Sequence, residues 1–237
     1  MSPNSSPPVG FPETPFQIVS FGGCGSQALA VGLFAALCDA EVDDVATMHG
    51  HRRVAPDAIP AGMHLIYMFG DPRDAVVSFF ARRERRHERH HFFLLPNRAE
   101  PRPKWVMWHL ANLEVSPEPV TEAWDLARYL GHDRDVFKLE EHATNWLLCD
   151  RPYRITFIRY EALWENLDAL AQHLGLAGIN LASKVERASS WQSLPVEQQQ
   201  AINQMYGPLT ERLDALPDLF YSEAGQHFDV VGNPISI

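Results

Sequence analysis

Little in this chain of 237 residues suits it to disulfides, metals or membranes. Its three cysteines, Cys24, Cys38 and Cys149, follow no metal-ligand spacing and cannot all pair with one another. That excludes a disulfide scaffold and points to a reducing compartment. No apolar run reaches the ~18 residues of a membrane span, because the longest begins at Ala28 and is closed by Asp39. The opening MSPNSSPPVGFPETP has neither the basic start nor the apolar centre of a secretory signal. Polar and Pro-rich, residues 1–15 read as a disordered lead-in to a single domain over 16–237. The expectation is a cytoplasmic protein without a membrane partner. Internal repeats are lacking too, and oligomeric state leaves no mark in the sequence.

Net charge is −10, yet the window Arg73 to Lys104 holds nine of the twenty Lys and Arg against four acidic residues. The remainder carries eleven basic and twenty-six acidic side chains. Segregation of this kind suggests a local anion site on an acidic protein and argues against a general nucleic-acid surface.

Strand and helix patterns alternate along the chain. Gln17 to Phe21 reads as a short buried strand, and Ser26 to Cys38 as an apolar helix. A second strand is expected at Val45 to His49, and MHLIYMF, Met63 to Phe69, carries the strongest strand signal. GDPRDAVVSFF follows it, with Asp71 as helix N-cap, Pro72 at the first helical position and Asp74 in the first turn. Helices are expected at Trp105 to Leu113, Phe137 to Leu148 and Trp164 to Leu174, the last ended by Gly175, with a strand at Arg154 to Arg159 and helical pattern again in LPVEQQQAINQMYGPLTERLDAL. The alternation predicts an α/β fold, a parallel β-sheet flanked by helices, with ligands at the carboxyl ends of its strands.

The segment SFGGCGSQAL joins the first strand to its helix through a glycine cluster with no lysine. Backbone N–H groups from Cys24 to Gln27, at the positive end of a helix dipole, make a phosphate cradle, to which Ser26 and Gln27 add side-chain donors. The alternative role for these glycines is a tight turn that lets elements pack closely. His49 and His51 alternate along one strand and share a face, so both are candidates for a general base. Arg52, Arg53 and Arg73 are candidate cations for the missing lysine. The run ARRERRHERHH contains a formal His-Glu-x-x-His match, His87, Glu88 and His91, but its arginine-rich flanks do not suit a zinc-binding helix, and no metal is expected.

Taken together, SFGGCGSQAL, IYMFGDPRDAVVSFF and ITFIRYEALWENLDALAQHLGL resemble, in order and spacing, the signatures of the sulfotransferase family. The resemblance implies a P-loop NTPase-like architecture, 3'-phosphoadenosine 5'-phosphosulfate as co-substrate, and transfer of a sulfonyl group to a hydroxyl or amine of a small-molecule or glycan acceptor. It implies that Gly22, Gly23, Cys24, Gly25, Ser26 and Gln27 hold the 5'-phosphosulfate, that Ser78 contacts the 3'-phosphate with Arg73 nearby, and that the catalytic histidine is His51 or His49. The chain departs from the family twice: Gly23 stands where a basic residue is usual, and Gly70 where an arginine is usual. Only Lys184 and Arg187 offer themselves for the family's C-terminal phosphate-gripping loop. Those departures leave a second reading open, a nucleotide- or polyanion-binding protein on the same fold with impaired catalysis. A P-loop phosphotransferase fits less well, since the Walker lysine and the Ser or Thr after it are missing.

Overall fold

The computed structural model describes residues 15–37, 49–88, 125–184 and 189–237, with side chains omitted from 82 onward in the second of these. The expected lead-in, the helix at Trp105 to Leu113, the His87–His91 motif and Arg187 lie outside what is described.

β1 (Phe16–Val19) is buried along its whole length and leads through the glycine turn into α1 (Ser26–Leu37). β2 (His49–Gly50) is short; most of the strand expected at Val45 to His49 lies outside the described residues. β3 (His64–Phe69) is the central strand, buried at five of its six residues, and feeds α2 (Pro72–Glu88). Asp71 caps α2 as expected, its Oδ1 accepting the Arg73 N–H at 2.8 Å. α3 (Leu126–Leu130) and α4 (Leu139–Leu147) precede β4 (Ile155–Arg159). The helix expected from Trp164 begins as a single 3₁₀ turn, Trp164–Asn166, before α5 (Leu167–His173). It stops at Gly175, where the Leu176 N–H closes on the Ala171 carbonyl at 2.8 Å. α6 (Val196–Asp214) is one continuous helix that accommodates Pro208.

One sheet of seven strands organises these elements in the order β2-β1-β3-β4-β5-β6-β7. Its first four strands are parallel, with Ile18 beside both His49 and Ile66, and Tyr67 beside Phe157. The expectation of a parallel sheet is corrected on the far side of β4, where β5 (Leu219–Glu223), β6 (Gln226–Asp229) and β7 (Pro234–Ile235) run antiparallel. Between β5 and β6 the reason is connection length. β5 and β6 are separated by only Ala224 and Gly225, both at positive φ, a turn that can join only antiparallel neighbours.

The core clusters on both faces of β3 and β4. Phe157 stacks on Phe220 at 4.7 Å, and Phe79, Phe80, Tyr129 and Phe137 interlock between α2 and the 125–137 segment. Arg159 ends β4 buried, its guanidinium received by Asp214, Asp218 and the Leu213 and Leu216 carbonyls at the negative end of α6. That cluster fixes the corner from which β5 departs. The order β2-β1-β3 places a topological switch between β1 and β3, where the connections leave in opposite directions along the sheet and a crevice opens at the strand ends.

Candidate functional site

At that crevice β1 ends in Ser20 and the chain turns through Gly22, Gly23 and Gly25, at φ of 94°, 69° and 68°. L-residues resist this backbone geometry, so the turn needs its glycines. Ser20 ties it together. Its N–H donates to the Gly50 carbonyl at 3.2 Å, its hydroxyl accepts the Gly22 N–H at 3.1 Å, and it reaches the Ser26 hydroxyl at 3.4 Å. Cys24 is fully buried, with its thiol on the Gly22 carbonyl at 3.0 Å, so it packs the turn from beneath. Gly25 serves as the helix cap, its carbonyl accepting from Ala28 and Leu29. The N–H groups of Ser26 and Gln27 therefore head α1, Ser26 buried and Gln27 exposed.

The two helices that start at the crevice are prepared differently. α2 begins under its own carboxylates, since Asp71 accepts from Arg73 and Glu161 Oε1 accepts the Asp71 N–H at 3.2 Å. α1 has no acidic residue in its first turn. Of the two, α1 is the one whose positive end carries no carboxylate in its own first turn.

Gly23 and Gly70, the two positions where the resembled family carries a cation, are both closed in by packing. A Cβ on Gly23 would lie 2.7 Å from Ala75 Cα and 3.2 Å from the Ala75 carbonyl, so the turn rests directly on the first turns of α2. A Cβ on Gly70 would meet the Glu161 carboxylate at 2.9 Å. Likewise, one on Gly25 would strike the Tyr160 ring at 2.3 Å. Tyr160 stands edge-on to Trp164 at 5.6 Å, and Lys184 donates to the Glu161 carbonyl at 2.7 Å. Tyr160, Trp164 and Lys184 thus form one wall over the α1 end of the turn.

The two histidines come together, with ring centroids 6.0 Å apart. They are not equivalent. Nδ1 of His51 lies 2.8 Å from the Ser20 carbonyl, which can only accept, so the neutral ring carries its proton on Nδ1 and its lone pair on Nε2. α4 fixes the loop that holds His51. Trp146 Nε1 donates to the Arg52 carbonyl at 2.8 Å, and Asn145 donates to that of Arg53 at 3.4 Å. His142 is buried beside this loop, with Nδ1 3.0 Å from the Tyr67 hydroxyl and the ring stacked on Tyr67. Burial, with the charge of His51 adding, holds His142 down to about 3, so it stays neutral, and burial keeps Tyr67 protonated.

Arg73 turns elsewhere. Its guanidinium pairs with Asp71 at 2.7 Å, donates to Asn203 at 2.7 Å and stacks 4.1 Å over Trp191. Those contacts join α2 to α6. Arg53 sits 3.5 Å from Glu141. Ser78 lies one turn beyond Ala75 on the same face of α2, 8% exposed. Sequence reasoning missed Ser20 and His142. Ser20 was legible as a small polar residue ending a buried strand; His142 left no local signal.

Comparison with protein-family models, with curated proteins and with solved structures finds no match to this chain. Among the described residues, no helix is long and apolar enough to cross a membrane, and no group of His, Cys, Asp or Glu side chains is placed to hold a metal ion.

Proposed function

We propose that the chain is a sulfotransferase that moves a sulfonyl group from 3'-phosphoadenosine 5'-phosphosulfate to a hydroxyl or amine of a small-molecule or glycan acceptor. The observation that carries this reading is the glycine turn at the carboxyl end of β1, heading an α1 with no acidic residue in its first turn, with His51 hydrogen-bonded to the Ser20 carbonyl of the same turn. A phosphate and a base are then held by one rigid element.

In this reading the N–H groups of Ser26 and Gln27 and the hydroxyl of Ser26 receive the 5'-phosphosulfate. Nε2 of His51 takes the acceptor proton as the acceptor oxygen or nitrogen attacks sulfur in line. Ser20 and α4 hold the imidazole in the productive tautomer. With Gly23 packed on Ala75, charge on the departing phosphate oxygen is met by the α1 dipole rather than by a lysine at that position, and turnover is correspondingly slow. On the 3'-phosphate side the candidates among the described residues are Ser78 and Lys184, the latter already held by the Glu161 carbonyl, Glu165 and Trp164; Gly70 supplies no cation there.

A second reading keeps the nucleotide or polyanion site and drops catalysis. It is favoured by one observation: Arg73, the cation of the second signature, is committed to Asp71, Asn203 and Trp191. Labelled sulfonyl donor incubated with a broad acceptor panel distinguishes the two. Transfer that disappears in His51→Ala supports the enzyme, and nucleotide binding without transfer supports the binding protein.

A further inference from the structure

At the other end of the sheet from the glycine turn, the starts of β3 and β4 open onto a cavity of about 410 Å³. Between His64 and Phe69 the strand covers about 17 Å, so this cavity is remote from the crevice described above. Its volume falls in the range of small-molecule sites.

The lining is amphipathic in an ordered way. Ile59 and Met63 from the loop before β3 supply its apolar side chains. Three basic groups line it, His64 from β3, Arg154 from the start of β4 and His173 from the end of α5, with the Tyr153 phenol and the Thr156 hydroxyl beside them. Arg154 is half exposed; its guanidinium lies 4.4 Å over the Tyr221 ring and pairs with Glu223 at 3.0 Å. His173 packs on the same Tyr221 ring at 5.2 Å, and its Nε2 lies 3.1 Å from the Thr156 hydroxyl. Tyr221 therefore aligns the arginine and the histidine along one side of the opening.

We propose that this cavity binds a small amphipathic carboxylate, its apolar body against Ile59 and Met63 and its head received by Arg154, His64 and His173. An anionic head suits the three basic side chains, where it would share Arg154 with Glu223, and an apolar body suits Ile59 and Met63. The groups around His173 are Arg154 and Tyr153 beside β4, His64 from β3, and Tyr221 and Glu223 from β5. Burial and the charges of Arg154 and His64 hold His173 below its ordinary value. A bound carboxylate opposes those charges and brings a proton to the ring, so affinity rises as pH falls, until His173 of the unliganded protein is itself protonated below its ordinary value of about 6.5.

The test is independent of the glycine turn. The full chain is titrated with 2-naphthoate, with 2-naphthalenemethanol as the neutral analogue, while the histidine Cε1–H signals are followed by NMR and assigned with His64→Gln and His173→Gln. The expected result is saturable 2-naphthoate binding at one site that shifts His64 and His173. It should weaken about tenfold in Arg154→Gln, a half-exposed position that leaves the fold intact, and disappear in Ala61→Trp, which fills the mouth from an exposed turn. Equal binding of the neutral analogue, binding indifferent to Arg154→Gln and to pH, or no saturable shift at millimolar 2-naphthoate would each overturn the proposal.

Discussion

Gly23 rests on Ala75: a Cβ placed on the glycine would come within 2.7 Å of the Ala75 Cα. A lysine at this position would therefore not fit an otherwise unchanged loop. Gly23→Lys must both accept a φ of 69° and push α2 away. The expected cost is about 2–4 kcal/mol of stability, with no gain in transfer activity, read from urea unfolding and a transfer assay. A stable, faster Gly23→Lys protein would contradict this packing.

His51 and His49 should separate under substitution. His51 is hydrogen-bonded to the glycine turn through the Ser20 carbonyl, so His51→Ala should lower turnover by about 10²- to 10⁴-fold while nucleotide affinity changes little. His49→Ala should have a much smaller effect. Equal losses in both variants, or a larger loss in His49→Ala, would remove His51 from its assigned role.

His142 makes stability depend on pH. In the folded chain burial holds it down to about 3, whereas unfolded it titrates near its ordinary value of about 6.5. The unfolded state therefore takes up the extra proton, and the contribution is complete above about pH 6.5 and lost as pH falls toward 3. His142→Asn keeps an acceptor for Tyr67 and removes the titration. The wild type should lose stability relative to this variant by up to about 1.4 kcal/mol per pH unit below about pH 6, measured by urea midpoints. Parallel curves would contradict a neutral buried His142.

The hairpin between β5 and β6 turns on Ala224 and Gly225, at φ of 50° and 73°. Asparagine tolerates the first of these positions better than alanine, and Ala224 is exposed. Ala224→Asn should stabilise the protein by about 0.5–1 kcal/mol, seen as a higher urea midpoint with unchanged slope. Destabilisation would mean that the turn has a different geometry.

The sequence was readable where local chemistry decided the outcome. The switch from strand to helical periodicity around Gly22 and again at Asp71 placed β1, α1, β3 and α2 within a residue or two, because burial, glycine and an Asp-Pro start act locally. β5 to β7 escaped notice because they are short, partly exposed strands joined by Ala-Gly, a weaker turn signal than Asn-Gly. The destination of Arg73 was equally hidden, since Asn203 lies 130 residues away along the chain. So was the role of His142, whose partner Tyr67 is 75 residues distant. For the site, sequence brought forward the glycine turn and both histidines, but only the fold separates His51 from His49.

The most direct test of the central claim is calorimetric titration of the protein with 3',5'-adenosine bisphosphate, with ADP and AMP as comparators. The account predicts one saturable site that needs the 3'-phosphate and is lost when Tyr160→Ala removes the wall over Gly25. Absence of binding, or preference for ADP, would contradict a sulfonyl-donor site at the glycine turn.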